Sequence, residues 1–221
     1  MKAIHDPRHA IILGLGDSGL AMARWCVQQG WAVTVVDSRQ TPPRLAQLQA
    51  DVAQARFVSG AFDASLLDDR VTHAVFKSPG LSPQQVEPLW SAARERGLWC
   101  GSELSLFASA LADLAESHGY HPHVLAITGT NGKTTVTSLT AALLERTGLS
   151  VAVAGNIGPT LLDTLSACGT DQLPQAWVIE LSSFQLNDTQ GFEPTAATVL
   201  NITQDHLDWH GDMAAYAAAK G

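Results

Sequence analysis

The sequence predicts an α/β chain, a doubly wound parallel-sheet domain followed by a second α/β domain built on a phosphate loop. Three observations predict it. Apolar runs of strand length alternate with helical patterns from Ala10 to Asn201, the signature of βαβ units and parallel sheets. Gly14, Gly16 and Gly19 form a GxGxxG turn between the first such run and the first helical pattern. A second turn, Gly129-Thr130-Asn131-Gly132-Lys133-Thr134-Thr135, stands in the same position after the run 123–128.

The elements follow in order. Residues 10–14 read as a buried strand, and the helix after the glycine turn as 20–29, ended by Gly30. Residues 31–37 are the second strand, broken by Thr41-Pro42-Pro43. A short helix, a weak strand at 56–59 and a firmer one at 72–77 come next. An amphipathic helix spans 83–96, a short strand 98–100 and a further helix 103–117. The polar stretch 117–122 marks a boundary, giving domains 1–118 and 119–221. Beyond it lie a strand at 123–128, a helix over 133–147, and strands at 150–154, 176–181 and 196–201.

Composition narrows the function. Length suits one large domain or two ordinary ones. Apolar residues make up 46%, enough for real cores. The net charge of −8 argues against a nucleic-acid partner, which needs a basic stripe. The segment from Met1 to Pro7 lacks the apolar run of a signal peptide. No window approaches the roughly 20 apolar residues of a membrane span. Cys26, Cys100 and Cys168 are far apart and show no metal spacing, which fits a reducing cytoplasm. A cytoplasmic, monomeric protein is expected, with no membrane partner. The chain stops within a helical pattern at Ala217-Ala218-Ala219-Lys220-Gly221, which reads as a fragment of a longer protein.

The second glycine turn carries the sharpest chemistry. A strand, a glycine turn and a helix opening on Lys and Thr form a phosphate cradle, with backbone N–H groups aimed at the anion. Lys133 is placed to reach the β- and γ-phosphates of ATP, and the Thr134 hydroxyl to ligate Mg²⁺. The usual phosphate loop has Gly where Ile127 stands, so the match is to a variant. Glu180 ends the apolar run Trp177-Val178-Ile179 and suits the acidic Mg²⁺ ligand of such sites. His206, in a polar loop after another strand, is a further metal-ligand candidate. Lys220, on pattern alone, is an ordinary helix-surface lysine.

In the first domain, Gly14, Gly16, Gly19 and then Asp37 make up a dinucleotide fingerprint, with Asp37 positioned for a ribose hydroxyl. The Asp17 carboxylate would repel a phosphate unless it points away. Ser78-Pro79-Gly80 ends a strand and is either a ligand contact or a plain turn. Asn156, within Gly155-Asn156-Ile157-Gly158-Pro159, is likewise a turn residue or a ligand contact, and Pro159 suits a helix start.

Taken together, these motifs resemble the Mur ligases, ATP-dependent amide-forming enzymes of peptidoglycan precursor synthesis. GTNGKTT is similar to that family's variant loop. Gly14 to Gly19, Val36-Asp37-Ser38-Arg39, Ser78-Pro79-Gly80, Gly155 to Gly158, Glu180 to Leu186 and Tyr216 to Lys220 resemble its D-glutamate-adding branch. The resemblance implies a Rossmann-like N-terminal domain that holds a uridine nucleotide, and a truncated P-loop ATPase-type central domain. It implies UDP-substrate contacts at Asp17, Ser18, Asp37, Arg39, Ser78, Gly80, Asn156 and Ser182. It implies ATP contacts from Gly129 to Thr135, and Mg²⁺ held by Thr134, Glu180, His206 and Lys220, the last as a carbamate. Lys133, His206 and Lys220 would be catalytic.

The implied reaction activates the carboxylate of UDP-N-acetylmuramoyl-L-alanine as an acyl phosphate, which the amine of D-glutamate attacks. Trp209 departs from the pattern, since relatives usually carry Arg there. The family's third, C-terminal domain is absent, so this chain alone is expected to be inactive. Two other readings are a nicotinamide-dependent dehydrogenase, which leaves GTNGKTT unexplained, and a non-catalytic nucleotide-binding module.

Overall fold

The computed structural model describes residues 8–68, 71–189 and 191–221. The segment from Met1 to Pro7, read above as no signal peptide, lies outside them. The chain forms two compact units that divide between Glu103 and Leu104.

The first unit holds β1 (His9–Leu13), α1 (Asp17–Gln28), β2 (Ala32–Asp37), α2 (Leu45–Asp51), β3 (Arg56–Ser59), β4 (Thr72–Lys77), α3 (Pro83–Glu95) and β5 (Trp99–Gly101). Its sheet is parallel in the order β3-β2-β1-β4-β5, the doubly wound arrangement. Alternation along the strands splits the core. Ile11, Leu13, Val36 and Val75 pack with Val86, Leu89, Trp90 and Ala93 of α3. α1 buries Leu20, Ala21, Met22, Ala23 and Cys26.

α1 starts at Asp17, three residues earlier than its sequence pattern suggests. Gly16 takes the extended N-cap conformation (φ −98°, ψ −160°), so the helix opens inside the glycine motif. Asp17 in the first turn suits the positive end of the helix dipole. Gly19 then lies against the turn itself. A Cβ there would stand 2.0 Å from the Gly14 carbonyl oxygen.

The second unit begins with α4 (Glu103–His118), whose first residue sits at the division, and continues with β6 (His123–Thr128), α5 (Lys133–Arg146), β7 (Val151–Gly155), α6 (Leu161–Cys168), β8 (Ala176–Glu180), α7 (Ser183–Asn187), β9 (Ala196–Val199), α8 (Leu207–His210) and α9 (Met213–Ala218). Its parallel sheet runs β7-β8-β6-β9. Ile127, Ala141 and Val178 form a core with Val136, Leu144, Val151, Val153 and Leu200.

The polar break at 117–122 is therefore not where the compact units part. α4 groups with the second unit. Its Phe107 is fully buried, edge-on to Trp177 of β8 at 4.9 Å between ring centroids. Composition marks the end of a helix and is blind to the sheet on which that helix packs. Pro159 also departs from its reading, because α6 starts at Leu161 with Thr160 as N-cap. Among the described residues, no helix is long and apolar enough to cross a membrane.

Candidate functional site

In the first unit, the carboxyl ends of β1, β2 and β4 open a cleft of about 460 Å³. Gly14, Gly16, Asp17, Ser18, Asp37, Arg39, Ser78 and Gly80 all line it. Parallel-sheet folds bind ligands at this edge. The Ser78 hydroxyl donates to the Gly14 carbonyl at 2.9 Å and so joins the β4 turn to the glycine turn.

Asp37 is committed within the protein. Its Oδ2 accepts the Leu15 N–H at 2.8 Å and Arg39 Nη2 at 2.8 Å. Its Oδ1 accepts the Arg39 N–H at 2.9 Å and Arg39 Nε at 2.8 Å. Burial pushes the Asp37 carboxyl up, but the hydrogen bonds from Arg39 and Leu15 outweigh it and hold the group below the usual carboxylate range. Four donors fill the lone pairs of one carboxylate. The ribose-hydroxyl role drawn from the fingerprint thus finds Asp37 already saturated, and what it presents is the Arg39 guanidinium, half exposed. Asp17 is exposed and bonded to Arg44, with Arg44 Nε donating to Asp17 Oδ1 at 2.6 Å. That contact draws off the repulsion its carboxylate threatens.

In the second unit, β6 delivers the phosphate loop between its neighbours β8 and β9. Gly129 (φ +149°) and Gly132 (φ +82°) take conformations open to glycine, and a Cβ on Gly129 would meet Leu200 at 3.1 Å. Lys133 opens α5, and its Nζ donates to the Gly129 and Thr130 carbonyls at 3.0 Å each. Asn131, Thr134 and Thr135 are exposed at the loop and first helical turn.

Register pairs Ile127 with Glu180, setting this buried carboxylate at the end of β8 beside the loop. Thr134 Oγ1 donates to Glu180 Oε2 at 2.9 Å, and Asn156 Nδ2 donates to Glu180 Oε1 at 2.7 Å. Asn156 therefore joins the loop site through Glu180. A hydroxyl and a carboxylate side by side are hard oxygen donors, which suit Mg²⁺ retaining several waters.

Lys220 is buried, and its Nζ donates to Thr128 Oγ1 at 3.1 Å and to the Gly129 carbonyl at 3.2 Å. Burial and then the Lys133 charge lower its ammonium to about 8, with Asp205 opposing. His206 stands at φ +50°, the one non-glycine in the left-handed region among the described residues. Its ring lies 4.6 Å from that of Phe184, and its Nε2 is 3.5 Å from Asp205 Oδ2. Strain of this kind gathers at functional sites. Among the described residues, no three His, Cys, Asp or Glu side chains converge as a metal cluster. Ser182 caps α7 in a reciprocal arrangement, its N–H and hydroxyl both reaching Gln185 Oε1, at 2.9 and 3.0 Å.

Sequence reading missed several residues. Asn201 and Thr203 grip the phosphate loop, Thr203 through its N–H to Thr130 Oγ1 at 3.0 Å. The buried Tyr216 meets the same hydroxyl at 2.9 Å. Arg44 pairs with Asp17. Gln185 was missed too, although the Ser182-x-x-Gln185 capping box is a local signal for it.

Residues 8–99 match the family described as "Mur ligase MurD-like, N-terminal domain", and residues 127–221 match "Mur ligase middle domain". A UDP-N-acetylmuramoylalanine--D-glutamate ligase from Albidiferax ferrireducens is 63% identical over 223 residues, which cover 100% of this chain and 44% of that protein. One from Cupriavidus pinatubonensis is 59% identical, over 96% of this chain and 42% of that protein. The chain thus spans less than half the length of these curated relatives. In fold it is similar to a UDP-N-acetylmuramate:L-alanyl-gamma-D-glutamyl-meso-diaminopimelate ligase from Neisseria meningitides, at TM-score 0.56 and 22% identity, covering 96% of this chain and 66% of that one. Two consecutive domain matches, one on each glycine turn, show that the chain belongs to the Mur ligase family.

Proposed function

We propose that this chain is the nucleotide-binding part of an ATP-dependent ligase that joins D-glutamate to UDP-N-acetylmuramoyl-L-alanine. The observation that carries the reading is the contact of Thr134, in the first turn of α5, with Glu180 at the end of β8. It pairs the loop hydroxyl with a buried carboxylate, as a phosphoryl-transfer site requires. The curated relatives bear the name of that activity over the whole of this chain or nearly so.

ATP would lie on the backbone N–H groups of the loop, with the Lys133 ammonium offsetting charge that develops on the transferred phosphoryl group. Thr134 and Glu180 would hold Mg²⁺, with His206 and Lys220 as further ligands. That ion, when bound, neutralises phosphate charge. Asn156 would keep the Glu180 carboxylate oriented. Lys220, as a carbamate, would exchange a cation for an anion beside the loop, and its lowered pKa supports this because only the neutral amine takes up CO₂. The first unit would bind the uridine nucleotide, with Arg39 offering its fork at the cleft and Asp37 fixing that fork. The proposed reaction consumes ATP and a UDP-linked precursor, both cytoplasmic nucleotides, so a cytoplasmic site of action follows from this reading.

The dehydrogenase alternative loses support from the saturation of Asp37. Calorimetry on this chain with MgATP, UDP and NAD separates the readings. ATP and UDP should each bind, and Asp37→Ala with Arg39→Ala should weaken UDP more than ATP. Binding of NAD without UDP would overturn the proposal.

A further inference from the structure

The nucleotide cleft has a charge problem. Its charged lining is Asp17, Asp37 and Arg39, one negative charge in excess. Arg39 is matched by Asp37 through two side-chain hydrogen bonds. Asp17 is the first residue of α1, at the end of the helix whose N–H groups favour an anion. A diphosphate entering the cleft therefore competes with the Asp17 carboxylate for that helix end. A further cation must neutralise Asp17 for the diphosphate to approach.

Arg44 meets that need. It precedes α2, and its guanidinium is 44% exposed beside Asp17. Nε is engaged by Asp17 at 2.6 Å and Nη1 by Gln47 Oε1 at 3.4 Å. A guanidinium carries five N–H donors in a planar fork, so the pairing with Asp17 aims the group and leaves donors for phosphate oxygens.

We propose that Arg44, which stands outside the cleft's own lining and is bonded to Asp17 of that lining, is the diphosphate-reading residue of the N-terminal cleft. The proposal rests on the uridine-nucleotide reading of that cleft and divides the labour within it. Arg39, fixed by Asp37, serves the end at β2. Arg44 serves the anion at the α1 terminus. Arginine suits the task because its fork can bond two phosphate oxygens at once.

The test is an NMR titration of this chain with uridine and with UDP, in wild type, Arg44→Gln, Asp17→Asn and the double variant. Arg44→Gln should lose about tenfold or more in UDP affinity, the scale of a hydrogen bond to a charged group, and leave uridine unchanged. It should also flatten the salt dependence of UDP binding. Asp17→Asn added to Arg44→Gln should regain part of the loss, because the repulsive carboxylate is gone. A merely structural ion pair predicts equal losses for uridine and UDP, and that result overturns the proposal. So does an Arg44→Gln variant that binds UDP like wild type. A wild-type chain that binds neither ligand removes the uridine reading itself, and with it this one.

Discussion

Asn201 and Asn131 exchange two hydrogen bonds: the Asn131 N–H donates to Asn201 Oδ1 at 2.9 Å, and Asn201 Nδ2 donates to the Asn131 carbonyl at 3.0 Å. The side-chain amide behaves as a length of β-strand laid against the phosphate loop. The Thr130 N–H adds a bond to the Asn201 carbonyl at 2.9 Å. Preorganisation of this kind lowers the cost of ordering the loop around an anion. Asn201→Ala is expected to weaken ATP binding by about tenfold and leave UDP binding unchanged, on the scale of one to two hydrogen bonds lost. Calorimetry with both ligands checks it, and unchanged ATP affinity would show the loop is ordered without Asn201.

Lys133→Ala should abolish productive ATP use in the full-length enzyme and spare the uridine site, since the two lie in different units. Loss of one preorganised donor of charge costs roughly a hundredfold or more in turnover. Phosphate release at the wild-type rate would remove Lys133 from the chemistry.

Gly19→Ala should damage the first unit selectively. The new Cβ would fall 2.0 Å from the Gly14 carbonyl oxygen, a backbone atom that cannot swing aside. A cost of about 1–3 kcal/mol is expected from forced overpacking. Thermal melting should show a lower midpoint with UDP binding lost and ATP binding retained. A variant as stable as wild type would mean that α1 can shift freely on the sheet.

Lys220 should form its carbamate in a pH-dependent way. With its pKa lowered to about 8, the neutral amine predominates above that pH and becomes scarce below it. Carbon NMR of the full-length protein with labelled CO₂ should show an adduct that fades as pH falls from about 9 to about 7, and that Lys220→Ala lacks. Added small carboxylates should partly rescue that variant. An unmodified lysine across this range contradicts the assignment.

His9 should make the first unit sensitive to acid. Burial lowers its pKa, His73 and Arg56 lower it further, and Asp68 opposes them. The folded form then resists a proton that the unfolded chain accepts at the ordinary value of 6.5. Above that value the group contributes nothing to the pH dependence. As pH falls below it, the unfolded state gains protons first and stability drops until the depressed native pKa is also passed. The melting midpoint should therefore fall between about pH 7 and about pH 5, and His9→Gln should reduce the slope. An equal slope in the variant would assign the acid sensitivity to other groups.

The strands, the two glycine turns and the long helices are legible in the chain alone. Each rests on residues adjacent along the chain: apolar runs make strands, and glycine permits the left-handed backbone at Gly14, Gly129 and Gly132. The sequence also pointed to Lys133, Thr134 and Glu180 from their places at strand and helix ends. What those groups do to one another depends on how the strands are ordered and paired. Thr134 meets Glu180 across 46 residues because β6 and β8 pair in one register. Asn131 meets Asn201 across 70 because β9 lies on the other side of β6. The same holds for α4, whose own pattern is plainly helical and whose unit was chosen by Phe107 against Trp177. Local pattern fixes an element's type, since its hydrogen bonds or alternation close within a few residues. Partnership between distant side chains follows strand order and register, which no short stretch of chain encodes.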